Sequence, residues 1–350
     1  MRMSVRLALL ACASLIALAA TNAAWAVYTP RLVVAGTSHA LNANNTVVIG
    51  VSQTANDDPT AKVTINVPAG YQETLTQAPN TAIGVVAGTV ILRGAGGAEV
   101  NIQGTVRADD PNRYLDPALN QCDRPAPVRH TAVWVLDVTI AGNPFRVPIY
   151  VDDVTNVPGV SARISLCLAG PVGTPSGTQL LSAAFSVQGV FRNPSAAAVY
   201  TWSSLMTPYV PNTPNPNLLG TVESRAIVPV PIRVTTKARK VGRFVVVSGT
   251  ITIPGQLVPA NVQTWAGATA RRLRRSGSAR VTGVGRFSVR KRIPPRARFW
   301  FYQARIDLPA VDVTQSSCTP PSPAPAGCVT ATMTPVDVLS NTVRVRLRRR

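Results

Sequence analysis

The amino-acid sequence predicts an all-β protein made of two antiparallel β-sandwich domains behind an N-terminal export signal. Three observations carry this. Short runs rich in Val, Ile and Thr recur along the chain, the composition of half-buried strands. Turn residues separate these runs at sandwich spacing, with 30 Pro and 24 Gly in 350 residues. Leu-, Glu- and Lys-rich helical stretches are absent from the sequence.

Residues 1–26 read as a secretory signal peptide. Arg2 and Arg6 make a basic head, residues 7–20 are small and apolar, and Ala24-Trp25-Ala26 fits a small-x-small cleavage site. An apolar run of this length is shorter than the roughly 20 residues of a spanning helix. Two alternatives remain open: lipidation at Cys12, which follows Leu9-Leu10-Ala11, or an uncleaved anchor. Cleavage after Ala26 places the chain outside the cytoplasm, secreted or at the cell surface, with no transmembrane segment left.

Residues 27–231 form the first expected domain. Strands are expected at 31–35, 46–51, 61–67, 82–87, 89–93 and 99–106, then at 132–141, 145–151, 163–168 and 180–191. Asn56-Asp57-Asp58-Pro59 turns the chain between the second and third. Residues 109–127 read as a long polar loop. Residues 207–217 carry four Pro and cannot be a central strand. A last strand is expected at 221–228, and Pro229-Val230-Pro231 makes a stiff extended join.

Residues 232–350 form the second expected domain. Strands are expected at 244–253, 261–265, 279–281, 287–292, 297–306 and 342–347, with 271–277 as a charged loop. In the stretch Phe299-Trp300-Phe301-Tyr302, alternation puts the two Phe on one side and Trp300 and Tyr302 on the other, so one pair fills the core. The simplest architecture for both halves is an Ig-like sandwich.

Four Cys follow the signal: Cys122, Cys167, Cys318 and Cys328. An even number in an exported chain reads as a disulfide framework. Three pairings are possible. Cys122–Cys167 and Cys318–Cys328 are favoured because each lies inside one expected domain. Zinc is disfavoured, because tight Cys-x-x-Cys spacing is missing.

Charge is divided unevenly. Residues 27–231 hold 11 basic and 12 acidic residues, whereas 232–350 hold 22 basic and 3 acidic. Genome composition can favour Arg over Lys, but it does not explain the scarcity of acid in one half. The basic residues cluster at Arg271-Arg272-Leu273-Arg274-Arg275, at Arg290-Lys291-Arg292 with Arg296 and Arg298, and at the terminal Arg348-Arg349-Arg350. A basic surface attracts anionic polymers by releasing their counterions.

Catalytic signatures are scarce. His39 and His130 are the only histidines after the signal, and Gly-x-Ser-x-Gly, P-loop and His-Glu-x-x-His patterns are missing. No cofactor is expected. Acidic loops at Asp57-Asp58, at Asp109-Asp110-Pro111-Asn112 and at Asp152-Asp153 read first as turn chemistry. A calcium site at Asp109, Asp110 and Asn112 is the weaker alternative.

Residues 241–305 resemble the Ig-like or carboxypeptidase-regulatory-like sandwich modules of secreted bacterial proteins, above all actinobacterial ones. The resemblance rests on Val247-Ser248-Gly249-Thr250, Ala260-Asn261-Val262 and Gly285-Arg286-Phe287. It implies a structural or adhesive module without catalytic residues. Residues 40–70 more weakly resemble a secreted copper-binding sandwich family whose metal ligand is an N-terminal His. The mature chain would begin Val27-Tyr28, so that activity is not carried over. The first domain is not assigned to a family.

The expected function is therefore non-enzymatic. A cell-wall or surface protein would bind anionic wall polymer or polysaccharide through Arg271, Arg272, Arg274, Arg275, Arg290, Arg292, Arg348 and Arg349. Export argues against nucleic acid as the physiological partner. In the alternative, the basic domain docks on acidic loops of its own or another chain. A hydrolase using first-domain carboxylates is the remotest reading.

Overall fold

The computed structural model describes residues 28–93, 96–115, 129–140, 142–168, 178–211, 213–255, 258–295, 297–308, 311–314, 330–333 and 335–347. The signal segment, Cys122, Cys318, Cys328, Arg348 and Arg349 lie outside these. The chain is all-β, as the alternating runs predicted.

The first strands are β1 (Arg31–Gly36), β2 (Asn44–Ser52), β3 (Thr60–Pro68) and the short β4 (Gln72–Glu73). Then come β5 (Ala82–Leu92), β6 (Ala98–Asp109), β7 (Ala132–Ile140), β8 (Asn143–Asp153) and β9 (Val160–Cys167). β10 (Thr178–Arg192), β11 (Ala198–Pro208) and β12 (Val222–Val230) complete this half. The expected first sandwich is replaced by one continuous sheet, ordered β1-β2-β10-β5-β6-β7-β8-β9-β3-β11-β12, with β4 beside β10. Its far end curls round until β12 meets β1, where the Leu32 N–H donates to Ser224 Oγ at 2.9 Å. The result is a nearly closed barrel rather than two facing sheets, because hydrogen bonding never breaks along the row.

Strand alternation gives this barrel one large core, with two smaller buried clusters of Val90, Leu92 and Ile102 and of Val133, Val135 and Tyr150. Aromatic rings meet edge to face in the large core. Trp202 lies 5.2 Å from Tyr71 and 5.6 Å from Phe191, and Phe191 lies 6.5 Å from Trp134. Burial pushes the Tyr71 hydroxyl up to about 12.

The second half is built from β13 (Arg233–Val241), β14 (Phe244–Thr252), β15 (Asn261–Gly267), β16 (Arg274–Arg280), β17 (Arg286–Arg292) and β18 (Phe299–Leu308). β21 (Val336–Leu339) and β22 (Val343–Arg346) end it. A three-stranded sheet, β13-β14-β17, faces a sheet of β16-β15-β18 with β21 and β22 beside β18. Ile251 and Phe287 from the first pack with Val262, Ala304 and Ile306 from the second. Tyr302 packs in a second cluster with Val245, Val247, Val345 and Leu347, and Trp300 packs against it, while Phe299 and Phe301 face outward, so the Trp300 and Tyr302 pair is the inward one. The edge of β13 is covered by side-chain hydrogen bonds. Asn341 accepts from the Thr236 N–H at 2.9 Å and donates to the Thr236 carbonyl at 3.0 Å.

Between β18 and β21 lie β19 (Val311–Thr314) and β20 (Thr330–Met333). They pair with each other and return to the barrel sheet, β20 running parallel to β12.

Two glycines permit the three-stranded sheet. At Gly249 a Cβ would lie 1.9 Å from the Thr235 carbonyl oxygen and 2.6 Å from the Phe287 ring. Gly285 has φ +74°, and its carbonyl accepts from the Ile251 N–H at 2.7 Å. Gly285→Ala is expected to cost roughly 1–3 kcal/mol, from left-handed strain and a clash with the Ile251 carbonyl. Denaturant unfolding of the variant checks this; an unchanged midpoint would show that the turn tolerates a side chain.

Candidate basic interface

The three-stranded sheet divides its side chains by parity. Val245, Val247 and Ile251 of β14 point to the core. Phe244, Val246, Ser248, Thr250 and Thr252 point to solvent. Directly opposite these on β13 stand Val241, Arg239, Lys237, Thr235 and Arg233. On β17 the partners are Arg292, Arg290, Ser288 and Arg286. The outer face is thus two cationic rails, Arg233, Lys237 and Arg239 on one side and Arg286, Arg290 and Arg292 on the other. A neutral strand separates them, and all the rail side chains are exposed. Rails two strands apart are about 9.5 Å from each other, and alternate positions along a rail are about 7 Å apart.

No carboxylate occupies any position of this face. The second half contains only Asp307, Asp312 and Asp337. Asp337 and Asp307 lie on the opposite sheet, where Arg305 pairs with them at 2.8 and 3.7 Å.

Lys240 and Lys291 have the opposite parity from the rails. The Lys240 ammonium donates to the Leu347 carbonyl at 2.6 Å, and that of Lys291 to the Ser276 carbonyl at 2.7 Å. Desolvation lowers the Lys291 pKa. At the Phe244 end, Lys240, Arg243 and Arg292 line a shallow depression against Leu347.

Of the residues singled out from sequence, Arg290 and Arg292 belong to the second rail. Arg271 and Arg272 sit in the turn from β15 to β16, and Arg274 and Arg275 begin β16 on the other sheet. All four are exposed. β16 borders β17 at the side of the sandwich, with Ser276 hydrogen-bonded to Lys291. Positive surface therefore continues round that edge. On the far face, the Arg344 guanidinium stacks 3.9 Å above the Phe299 ring and Arg305 lies 5.7 Å from that of Trp265. Sequence reasoning missed Arg233, Lys237, Arg239 and Arg286, which are dispersed along the chain. The alternation of Arg233, Lys237 and Arg239 with Val234, Thr236 and Ala238 was the available clue.

The acidic loop at Asp109-Asp110 is engaged by the protein's own donors. Asp110 caps the 3₁₀ turn Pro111–Tyr114 and accepts from the Asn112 N–H and side chain at 3.0 and 2.8 Å. Buried Asp109 accepts from the Asp110 N–H and the Tyr114 hydroxyl, each at 2.8 Å. Arg113 and Arg146 approach it at 3.3 Å. Burial alone would push the Asp109 carboxyl up, but these hydrogen bonds and charges outweigh it and hold it below the usual range. Among the described residues, no three His, Cys, Asp or Glu side chains converge as metal ligands.

His130 is buried, stacked 4.4 Å from the Tyr150 ring, with Nδ1 3.0 Å from Asp152. His39 is buried too, and desolvation lowers its pKa. Cys167 ends β9 opposite Lys62 of β3; the expected Cys pairings involve residues outside those described.

No known family model and no curated protein matches the chain. Among solved structures, a β-1,2-glucanase from Parabacteroides distasonis is similar at 10% identity and a TM-score of 0.15. The match covers 89% of this chain and 37% of that enzyme, and a likeness this slight carries no argument about fold or activity.

Because the Asp109 pKa is lowered, its contribution to stability is present above the ordinary carboxylate range. It is lost as pH falls through the lower folded value. Asp109→Asn is expected to cost about 1–2 kcal/mol at neutral pH. Below roughly pH 4 the wild type should lose stability more steeply than the variant. Unfolding midpoints from pH 7 to 3 test this, and parallel curves would remove Asp109 as the source.

Proposed function

We propose that this chain is an exported, non-enzymatic protein of the cell envelope that binds anionic polymer through its basic second half. That half is read as an Ig-like sandwich. The observation that carries the reading is the outer face of β13-β14-β17, with six cations and no carboxylate. An internal structural role would be expected to pair such charges, as Arg305 is paired with Asp337. Rails left facing solvent repel each other and favour an external anion. The continuation through Arg274 and Arg275 extends the positive surface round the edge.

The test is retention of the purified chain on isolated cell envelope across a salt series. Binding should be firm at low salt and gone near 1 M salt, where the screening length is roughly 3 Å. Anionic polymer should also raise the thermal midpoint, because it binds the folded state and relieves rail repulsion. Retention that persists at 1 M salt, or no retention at low salt, would refute the reading.

A further inference from the structure

Resting on that reading, we propose that the ligand is a single chain of a linear acidic polysaccharide lying along β14 between the two rails.

Width is the first argument. Rails about 9.5 Å apart accommodate one extended chain, with anionic groups reaching alternately to either side. A nucleic-acid duplex carries its phosphates on a cylinder cut by grooves about 6 and 12 Å wide, so it would meet a flat face along one line only.

Rail chemistry is the second. Five of the six cations are Arg, with Arg233 and Arg239 on one side and Arg286, Arg290 and Arg292 on the other. A guanidinium presents a planar fork that holds a carboxylate through two hydrogen bonds, where a lysine offers a point charge.

The strip between the rails is the third. Ser248, Thr250 and Thr252 line it, with Ser288 beside Ser248, and the Thr235 and Thr250 hydroxyls share a hydrogen bond of 2.7 Å. Hydroxyls donate and accept, so they match the hydroxyls of a sugar. At one end stands Phe244, 43% exposed, between Arg292 and Val241. An exposed ring beside cations suits the apolar face of a pyranose. Inorganic polyphosphate would use the rails alone, having neither hydroxyls nor an apolar face.

The experiment measures binding of the purified full chain to polygalacturonate, inorganic polyphosphate and neutral dextran at fixed salt. One variant, Arg239→Gln with Arg290→Gln, removes a cation from each rail. A second, Phe244→Ala with Thr250→Ala, alters the strip. A third, Arg344→Gln with Arg346→Gln, removes equal charge from the opposite sheet. These side chains are exposed, and unfolding midpoints within about 0.5 kcal/mol of wild type verify the fold. The rail variant should lose about tenfold in polygalacturonate affinity, and its salt slope should fall by roughly one to two. The off-face variant should change less than about twofold. The strip variant should weaken polygalacturonate and leave polyphosphate unchanged. Equal losses in the rail and off-face variants would overturn the track. A strip variant that binds polygalacturonate as wild type does would overturn the polysaccharide. Failure of the wild type to bind either polyanion would instead sink the functional reading itself.

Discussion

The register of β14 against β13 and β17 decides which side chains of the second half meet water. Strand side chains alternate with a period of two, so a slip of one residue exchanges the faces. In the observed register Val245 and Val247 are buried and the rails face solvent. After a slip, arginines would enter the core and valines would face water. Burying an unpaired charge costs far more than exposing a valine, so the cations themselves enforce the register. The same residues that make the surface positive thereby hold the sheet in place. Gly249, within β14, and Gly285, just before β17, support this arrangement, one by close approach and one by its turn.

Charge placement in the two halves follows different rules. In the first half two acids are engaged where they stand: Asp109 by Arg113, Arg146 and Tyr114, and Asp152 by His130. Such clusters hold loops and strand edges. In the second half Arg305 is paired to aspartates while the three-stranded sheet is left positive. Glutamates across from those arginines would have stabilised the isolated sheet. Their absence leaves this face positive, which is the premise of the proposed binding to an external anion.

Strands with strong apolar alternation were legible in the sequence, including 244–253, 287–292 and the aromatic run at 299–302. Others were hidden for identifiable reasons. β13 presents Arg and Lys outward and Val234, Thr236, Ala238 and Lys240 on the inward parity, so it reads as a charged segment. β11 buries Ser204 and Thr207 between neighbouring strands, and small polar residues give little alternation. β16 has one buried apolar residue, Ala279, and begins with two arginines and a Ser-Gly pair that resemble a loop. The curling of the barrel sheet arises from pairings such as β2 with β10, over a hundred residues apart, which no local pattern encodes. The site was half legible for a related reason. Adjacent arginines such as Arg290 and Arg292 stand out, whereas Arg233, Lys237, Arg239 and Arg286 become neighbours only through strand pairing.

The return of β19 and β20 to β12 bears on how the chain can be divided. A cut at the proline join near residue 231 would leave the second sandwich with a hairpin whose partner strand is gone. It would also leave the barrel with β12 as a bare edge. Exposed, unpaired strand edges recruit other chains, so both fragments would be aggregation hazards. The two halves have separate cores but share one hydrogen-bonded seam, and limited proteolysis within the join should release nothing until that seam opens.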